Sequence, residues 1–110
     1  MAKDRGEYKG FFAHFDGPDG SGKGTQLNLA ERHFREKGYE VIRARDPGGT
    51  KIGDHIRHLL LHFDAEEMAP LTEVFLFMSS RAQLVHEVIK PALAKGRLVF
   101  LDRFVDATRA

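Results

Sequence analysis

The strongest constraint on this chain is a seven-residue run, Gly17-Pro18-Asp19-Gly20-Ser21-Gly22-Lys23, that joins an apolar stretch to a helical pattern. Upstream, Phe11-Phe12-Ala13-His14-Phe15 is a short apolar run cut off by Asp16-Gly17, which reads as a buried strand ending in a turn. Downstream, from about residue 23 to residue 37, Leu27, Ala30 and Phe34 fall at helical spacing, and Gly38 supplies a stop in the left-handed conformation. G-x-x-x-x-G-K in a strand–loop–helix context is a phosphate cradle. Its glycines let the backbone curl until several N–H groups point inward. The following helix adds the positive end of its dipole, and Lys23 adds a mobile cation for terminal phosphates. A glycine-rich turn with an incidental lysine is the bland alternative, and the flanking strand and helix weigh against it. The candidate phosphate-binding residues are Gly17, Pro18, Asp19, Gly20, Ser21, Gly22, Lys23, Gly24 and Thr25.

The rest of the chain alternates in the same way. Residues 40–45 (EVIRAR) form a second strand candidate, and Asp46-Pro47-Gly48-Gly49 reads as a loop. Thr50 can cap a second helix with the apolar stripe Ile52, Ile56, Leu59, Leu60 and Phe63. A third helix starts at Pro70 and runs toward Lys95, with a kink before Pro91, and Gly96 ends it. Leu98-Val99-Phe100-Leu101 is a fully apolar strand closed by Asp102. Strand, helix, strand, helix, helix, strand predicts an α/β fold of P-loop NTPase type: a three-layer arrangement with a parallel sheet and helices on both faces. Such sheets bind ligands at the carboxyl ends of their strands, where the three loops of interest emerge. Residues 1–10 are charged and read as a flexible start, leaving 11–110 as one domain with no repeat, linker or low-complexity segment.

Composition narrows the function classes. A net charge of +1, from 17 basic and 16 acidic residues, gives no push toward nucleic acid or an anionic membrane surface. Phosphate recognition must come from local placement. There is no cysteine, hence no disulfide framework and no thiolate metal site. The first ten residues lack a secretory apolar stretch, and no apolar run approaches the roughly 20 residues that span a bilayer. A soluble cytoplasmic protein is the expectation.

Three further features bear on chemistry. The hydroxyl residue normally found after the cradle lysine is replaced by Gly24, with Thr25 one place later, which points to a metal held through water, phosphates and a carboxylate elsewhere. Asp102, closing an apolar strand, is the candidate carboxylate for Mg²⁺, a cation that takes oxygen ligands and keeps its waters. Arg103 beside it is either half of a structural ion pair or a phosphate clamp. In the third helix Val74, Phe77, Met78, Val85, Val88 and Ile89 share one face by spacing, and Arg81 falls among them. Either a core carboxylate pairs with this arginine, or Phe77 and Arg81 together form the floor and edge of a site for a flat heterocycle. His55, His58 and His62 lie near one face of the second helix, where a solvated face is the simpler reading. Phe75 and Leu76 point away from the stripe.

Four segments together resemble the thymidylate kinase family: FDGPDGSGKGTQ (15–26), RDPGGTKIG with Arg57 after it (45–57), FLFMSSRAQLV (75–85) and LDRFVDATRA (101–110). RDPGGT and DRF are the specific parts. The resemblance implies transfer of the γ-phosphoryl group of ATP to dTMP, with Mg²⁺ as cofactor and, by analogy, a homodimer. It implies that residues 17–25 hold ATP, that Phe77 stacks on thymine and that Arg81 hydrogen-bonds its edge. Arg45, Arg57 and Arg103 would face the monophosphate or ribose, Asp19 the sugar hydroxyl, and Thr108 would close against the base. Lys23, Asp102 and Arg103 would carry the catalytic work. Gly24, Asp46 (more often Glu in the family) and Gly20 (an arginine in some members) depart from the pattern. By the same resemblance residues 11–110 correspond to the N-terminal portion of the kinase domain, without its lid and C-terminal elements, and the last departure places the transition-state arginine in that lid. A 110-residue chain of this kind is expected to bind phosphates and to be a poor catalyst. Two alternatives remain: an adenylate-kinase-like enzyme, which shares GKGTQ, and a non-catalytic nucleotide-binding fragment.

Overall fold

The computed structural model describes residues 10–17, 22–64 and 66–104. The strands are β1 (Phe11–Gly17), β2 (Val41–Asp46) and β3 (Leu98–Phe104). The helices are α1 (Lys23–Glu36), α2 (Lys51–His62), α3 (Pro70–Leu84) and the short α4 (Lys90–Ala94), with a single π turn, Val85–Ile89, joining the last two. All strands are parallel, in the order β1-β3-β2. Register sets Phe15 and Arg45 on either side of Asp102, and Asp16 and Asp46 on either side of Arg103. The chemistry-bearing residues therefore share two adjacent rungs at the carboxyl ends of the strands.

The apolar run in β3 is explained by its central place. Successive side chains of a strand point to opposite faces, so a strand covered on both sides must be apolar throughout. Leu98 and Phe100 pack with Leu27 and Val41 beneath α1, supported by Ala13, Phe15, Ala30 and Phe34. Val99 and Leu101 face the other way, onto Ala44, Leu84, Ile89 and Ala92. Fully burying each such side chain is worth roughly 1.5–3 kcal/mol, so the two half-cores clamp the sheet between helices. The expected α/β architecture with helices on both faces is the one observed. The start of the domain is pinned as well: the Gly10 N–H donates to the Leu93 carbonyl at 3.0 Å, and a Cβ there would lie 2.0 Å from the Arg97 carbonyl oxygen.

Three expectations change. The long third helix is interrupted before Pro91 by the single π turn at Val85–Ile89, and Pro91 sits in the first turn of α4. Proline lacks an N–H and its ring crowds the carbonyl four residues back, and the π turn lies where that conflict would fall. The extra residue shifts the side-chain phase, so the buried series runs Ser80, Leu84, Ile89, Ala92. The stripe expected from uninterrupted 3.6-residue spacing is not one face: Val74 is 49% exposed and Met78 59%. In α2, Ile52, Leu59 and Phe63 are exposed, and the inward contacts come from Gly53 and Leu60. A side chain at Gly53 would meet Thr50 Oγ1 at 2.9 Å and both the Gly48 carbonyl oxygen and Ser80 Oγ at 3.0 Å, so glycine lets α2 close on α3. Finally, Asp46 is the last residue of β2 and buried, and the loop begins only at Pro47.

Candidate functional site

The described part of the cradle begins at Gly22, whose φ of 89° is the left-handed conformation that glycine adopts without steric cost. It is the N-cap of α1, so the positive end of the α1 dipole lies here. Lys23, the first residue of α1, is only 6% exposed. Its ammonium group donates to the Arg103 carbonyl at 3.1 Å and is ion-paired with the Asp102 carboxylate. The lysine of the loop and the acidic residue of β3, 79 positions apart in sequence, are therefore in direct contact. Gly24 and Thr25 are exposed, and a Cβ built on Gly24 would meet nothing within 4 Å. Pro18, Asp19, Gly20 and Ser21 of the cradle, and Thr108, lie outside the described residues.

A second cluster stands beside the first. Arg81 sends both its Nε and one terminal nitrogen to Asp46 Oδ2, each at 2.9 Å. The carboxylate is 2% exposed and the Arg81 side chain 47%. The buried charge is thus Asp46. Arg81 is the half-exposed partner, contrary to the picture of a cation sunk in an apolar stripe: within α3 the buried positions are Ser80 and Leu84, and Val74 and Met78 are exposed as Arg81 is. Arg103 Nε approaches the same oxygen at 3.9 Å, as expected for neighbours on one rung. Phe77 lies one helical turn before Arg81 and is partly buried.

The loop between β2 and α2 is braced from every side. The Asp46-Pro47 peptide is cis. Gly48 and Gly49 have φ of 115° and 86°, and Cβ atoms there would lie 2.9 Å from Asp54 Oδ1 and from Leu84 Cδ1 respectively. Ser80 Oγ accepts from the Gly48 N–H at 2.9 Å and Asp54 Oδ1 from the Gly49 N–H at 3.0 Å. The Thr50 hydroxyl accepts from the Gly53 N–H at 2.8 Å, the expected cap. Arg57 donates to the Pro47 carbonyl at 3.0 Å, and Arg45 reaches Asp54 at 3.6 Å. Arg57 is thereby anchored to this loop, and Arg45 to Asp54 in the first turn of α2. A cavity of about 330 Å³ is lined by Arg43, Ala44, Arg45, Gly49, Val88 and Asp102, and it takes in two of the candidate site residues.

Ser80 and Gly53 were not singled out from sequence. The available signals were a glycine inside a helical pattern, which costs ~1 kcal/mol relative to alanine and so implies a packing reason, and a serine pair in an otherwise apolar segment. Among the described residues no group of three or more His, Cys, Asp or Glu side chains converges as a metal site, and none of the helices is long and apolar enough to cross a membrane. His55, His58 and His62 are exposed, with His58 and His62 stacked at 4.4 Å between ring centroids. For Mg²⁺ the chemistry of the cradle motif fits: an oxygen-donor carboxylate, Asp102, stands beside Lys23, and the coordination of this ion is ordinarily completed by phosphate oxygens and water.

A family model for thymidylate kinase matches residues 15–110. The chain is similar to the thymidylate kinase of Exiguobacterium sibiricum, 50% identical over 101 residues that cover 92% of this chain and 48% of that protein. It is likewise similar to the thymidylate kinase of Protochlamydia amoebophila, 50% identical over 105 residues, covering 94% of this chain and 47% of the relative. The crystal structure of thymidylate kinase from Ehrlichia chaffeensis superposes with a TM-score of 0.76 at 35% identity, over 90% of this chain and 57% of that one. The chain spans about half the length of the curated relatives it matches.

Proposed function

From the premise that this chain belongs to the thymidylate kinase family, we propose that the protein acts in the ATP-dependent phosphorylation of dTMP to dTDP. The observation that carries this reading is the pairing of two charged clusters on adjacent rungs: Lys23 with Asp102, and Arg81 with Asp46 beside Arg103. Phosphoryl transfer needs positioning and charge neutralisation more than covalent participation by the protein. In this reading Lys23 leaves Asp102 to meet the β- and γ-phosphates of ATP, which residues 17–25 enclose. Arg103, Arg45 and Arg57 then face the acceptor's phosphate and ribose, which holds the two anions together despite their repulsion. Phe77 stacks on the base and the half-exposed edge of Arg81 donates to it. Asp19 would meet the sugar hydroxyl and Thr108 would close on the base. Asp102 and water would hold Mg²⁺, which supplies neutralisation of the charge developing on the transferred phosphoryl group. Location in the cytoplasm and assembly as a homodimer belong to the same proposal.

Gly-Lys-Gly-Thr, at residues 22–25, favours one second reading, an adenylate-kinase-like enzyme with AMP as acceptor. Titration with dTMP and, separately, with AMP, followed by NMR of the Phe and Tyr signals, decides between them. Saturable dTMP binding that is sharply weakened in Arg81→Ala supports the thymidylate reading. Preference for AMP supports the second, and equal or absent responses reject the base pocket.

A further inference from the structure

Asp46 is an expensive residue to keep where it is. Its carboxylate is 2% exposed, Oδ2 takes both bonds from Arg81, and Oδ1 is buried with no hydrogen-bond partner among the described residues. A buried ion pair recovers its desolvation cost only when its remaining lone pairs are satisfied, and well-packed apolar groups usually stabilise as much or more. Stability alone therefore gives little reason for a charge here. Geometry gives a better one. The carboxylate ends β2, opposite Arg103 on the neighbouring strand, and it grips the Nε side of the Arg81 guanidinium. An arginine side chain left loose loses substantial rotamer entropy on meeting a ligand, whereas one fixed by a rigid carboxylate has lost it already. With Nε and part of one terminal nitrogen occupied, the other N–H groups of the fork are left over for a ligand, on a side chain that is 47% exposed. Asp46 is itself rigid: a strand residue on one side, and on the other a loop held by Ser80 and Asp54.

We infer that Asp46 is a positioning residue for nucleotide recognition, holding the Arg81 guanidinium edge-out and drawing Arg103 toward the same rung. This rests on the base-site role of Arg81 proposed above. Asp46 acts through Arg81 and need not touch the ligand. It also explains why arginine and not lysine stands at 81, since only a planar fork can be gripped on one edge and donate from another.

The test is a double-mutant cycle on the 110-residue chain, using Asp46→Asn and Arg81→Ala, with dTMP as the probe and calorimetry as the readout. Amide NMR fingerprints away from residues 46–50 and 77–84 report that each variant is folded. Asp46→Asn is expected to weaken dTMP binding by about tenfold, the effect of losing one charge-assisted bond. It should also speed solvent exchange of the Arg81 Nε–H. In the Arg81→Ala background, Asp46→Asn should cost nothing further. Asp46→Glu, which keeps the charge, should recover much of the affinity. Should Asp46→Asn fail to fold, Asp46→Glu and Arg81→Lys replace it, and Arg81→Lys is expected to lose dTMP binding although the positive charge remains. Effects that multiply independently, or dTMP binding unchanged when Asp46 or the Arg81 fork is altered, overturn this inference alone. A wild-type chain that does not bind dTMP overturns the base-site reading and this inference together.

Discussion

At the scale of single residues, the site is built from side chains whose partners are far away in sequence, and small residues decide how close those partners come. Gly49 has a positive φ and no room for a Cβ, with Leu84 Cδ1 at 2.9 Å and the Arg45 carbonyl oxygen at 3.0 Å. Gly49→Ala is therefore expected to destabilise the chain by roughly 1–3 kcal/mol through backbone strain and overpacking, measured by urea unfolding. Gly24 is the opposite case. Nothing lies within 4 Å of its Cβ position, so Gly24→Ser should fold normally and restore a hydroxyl beside the cradle lysine. The expected outcome is tighter ATP binding in the presence of Mg²⁺ than in its absence, relative to the wild-type chain. An identical Mg²⁺ response in both proteins would show that the hydroxyl is irrelevant here. Lys23 and Asp102 were singled out in the sequence because they carry charge at motif positions, and Arg81 because it falls among apolar residues of a helix. Ser80 was not, because its work is to accept one backbone hydrogen bond from a loop 32 residues away.

At the scale of elements, the two half-cores and the helix ends carry the argument. Leu84 is fully buried between α3 and the sheet, so Leu84→Ala should cost about 2–5 kcal/mol. Thr50→Ala removes the side-chain cap of α2 and should cost about 1 kcal/mol, read in the same unfolding experiment. On the outer face of α1, the Arg35 hydrogen bond holds the Glu31 carboxyl below its ordinary value of 4.5, with Arg43 adding to the effect. A carboxylate lowered in the folded state stabilises the fold fully above its unfolded pKa. That contribution is lost as pH falls from 4.5 through the lowered folded value. Glu31→Gln should therefore flatten the acid side of the stability–pH curve and lower stability by a constant amount near neutral pH, read by urea unfolding as a function of pH. Strand and helix identities follow from periodicity and glycine punctuation. The π turn at Val85–Ile89 does not, because an inserted residue changes the phase without changing composition, and α3 is apolar on more than one side.

At the scale of the whole molecule, function depends on which strand ends lie side by side. The order β1-β3-β2 sets Asp102 between Phe15 and Arg45, and Arg103 between Asp16 and Asp46. No local pattern contains that order. What the sequence determined by itself was the fold class, together with the position of the cradle motif and a list of candidate charged residues, because these rest on short-range spacing: glycines around a lysine, apolar runs followed by aspartate, helical periods with caps. The tertiary structure alone decided how those charges pair. Asp46 is buried and grips Arg81, and Lys23 meets Asp102, because parallel strands bring rungs into register across tens of residues and two faces of packed helices lock that register in place.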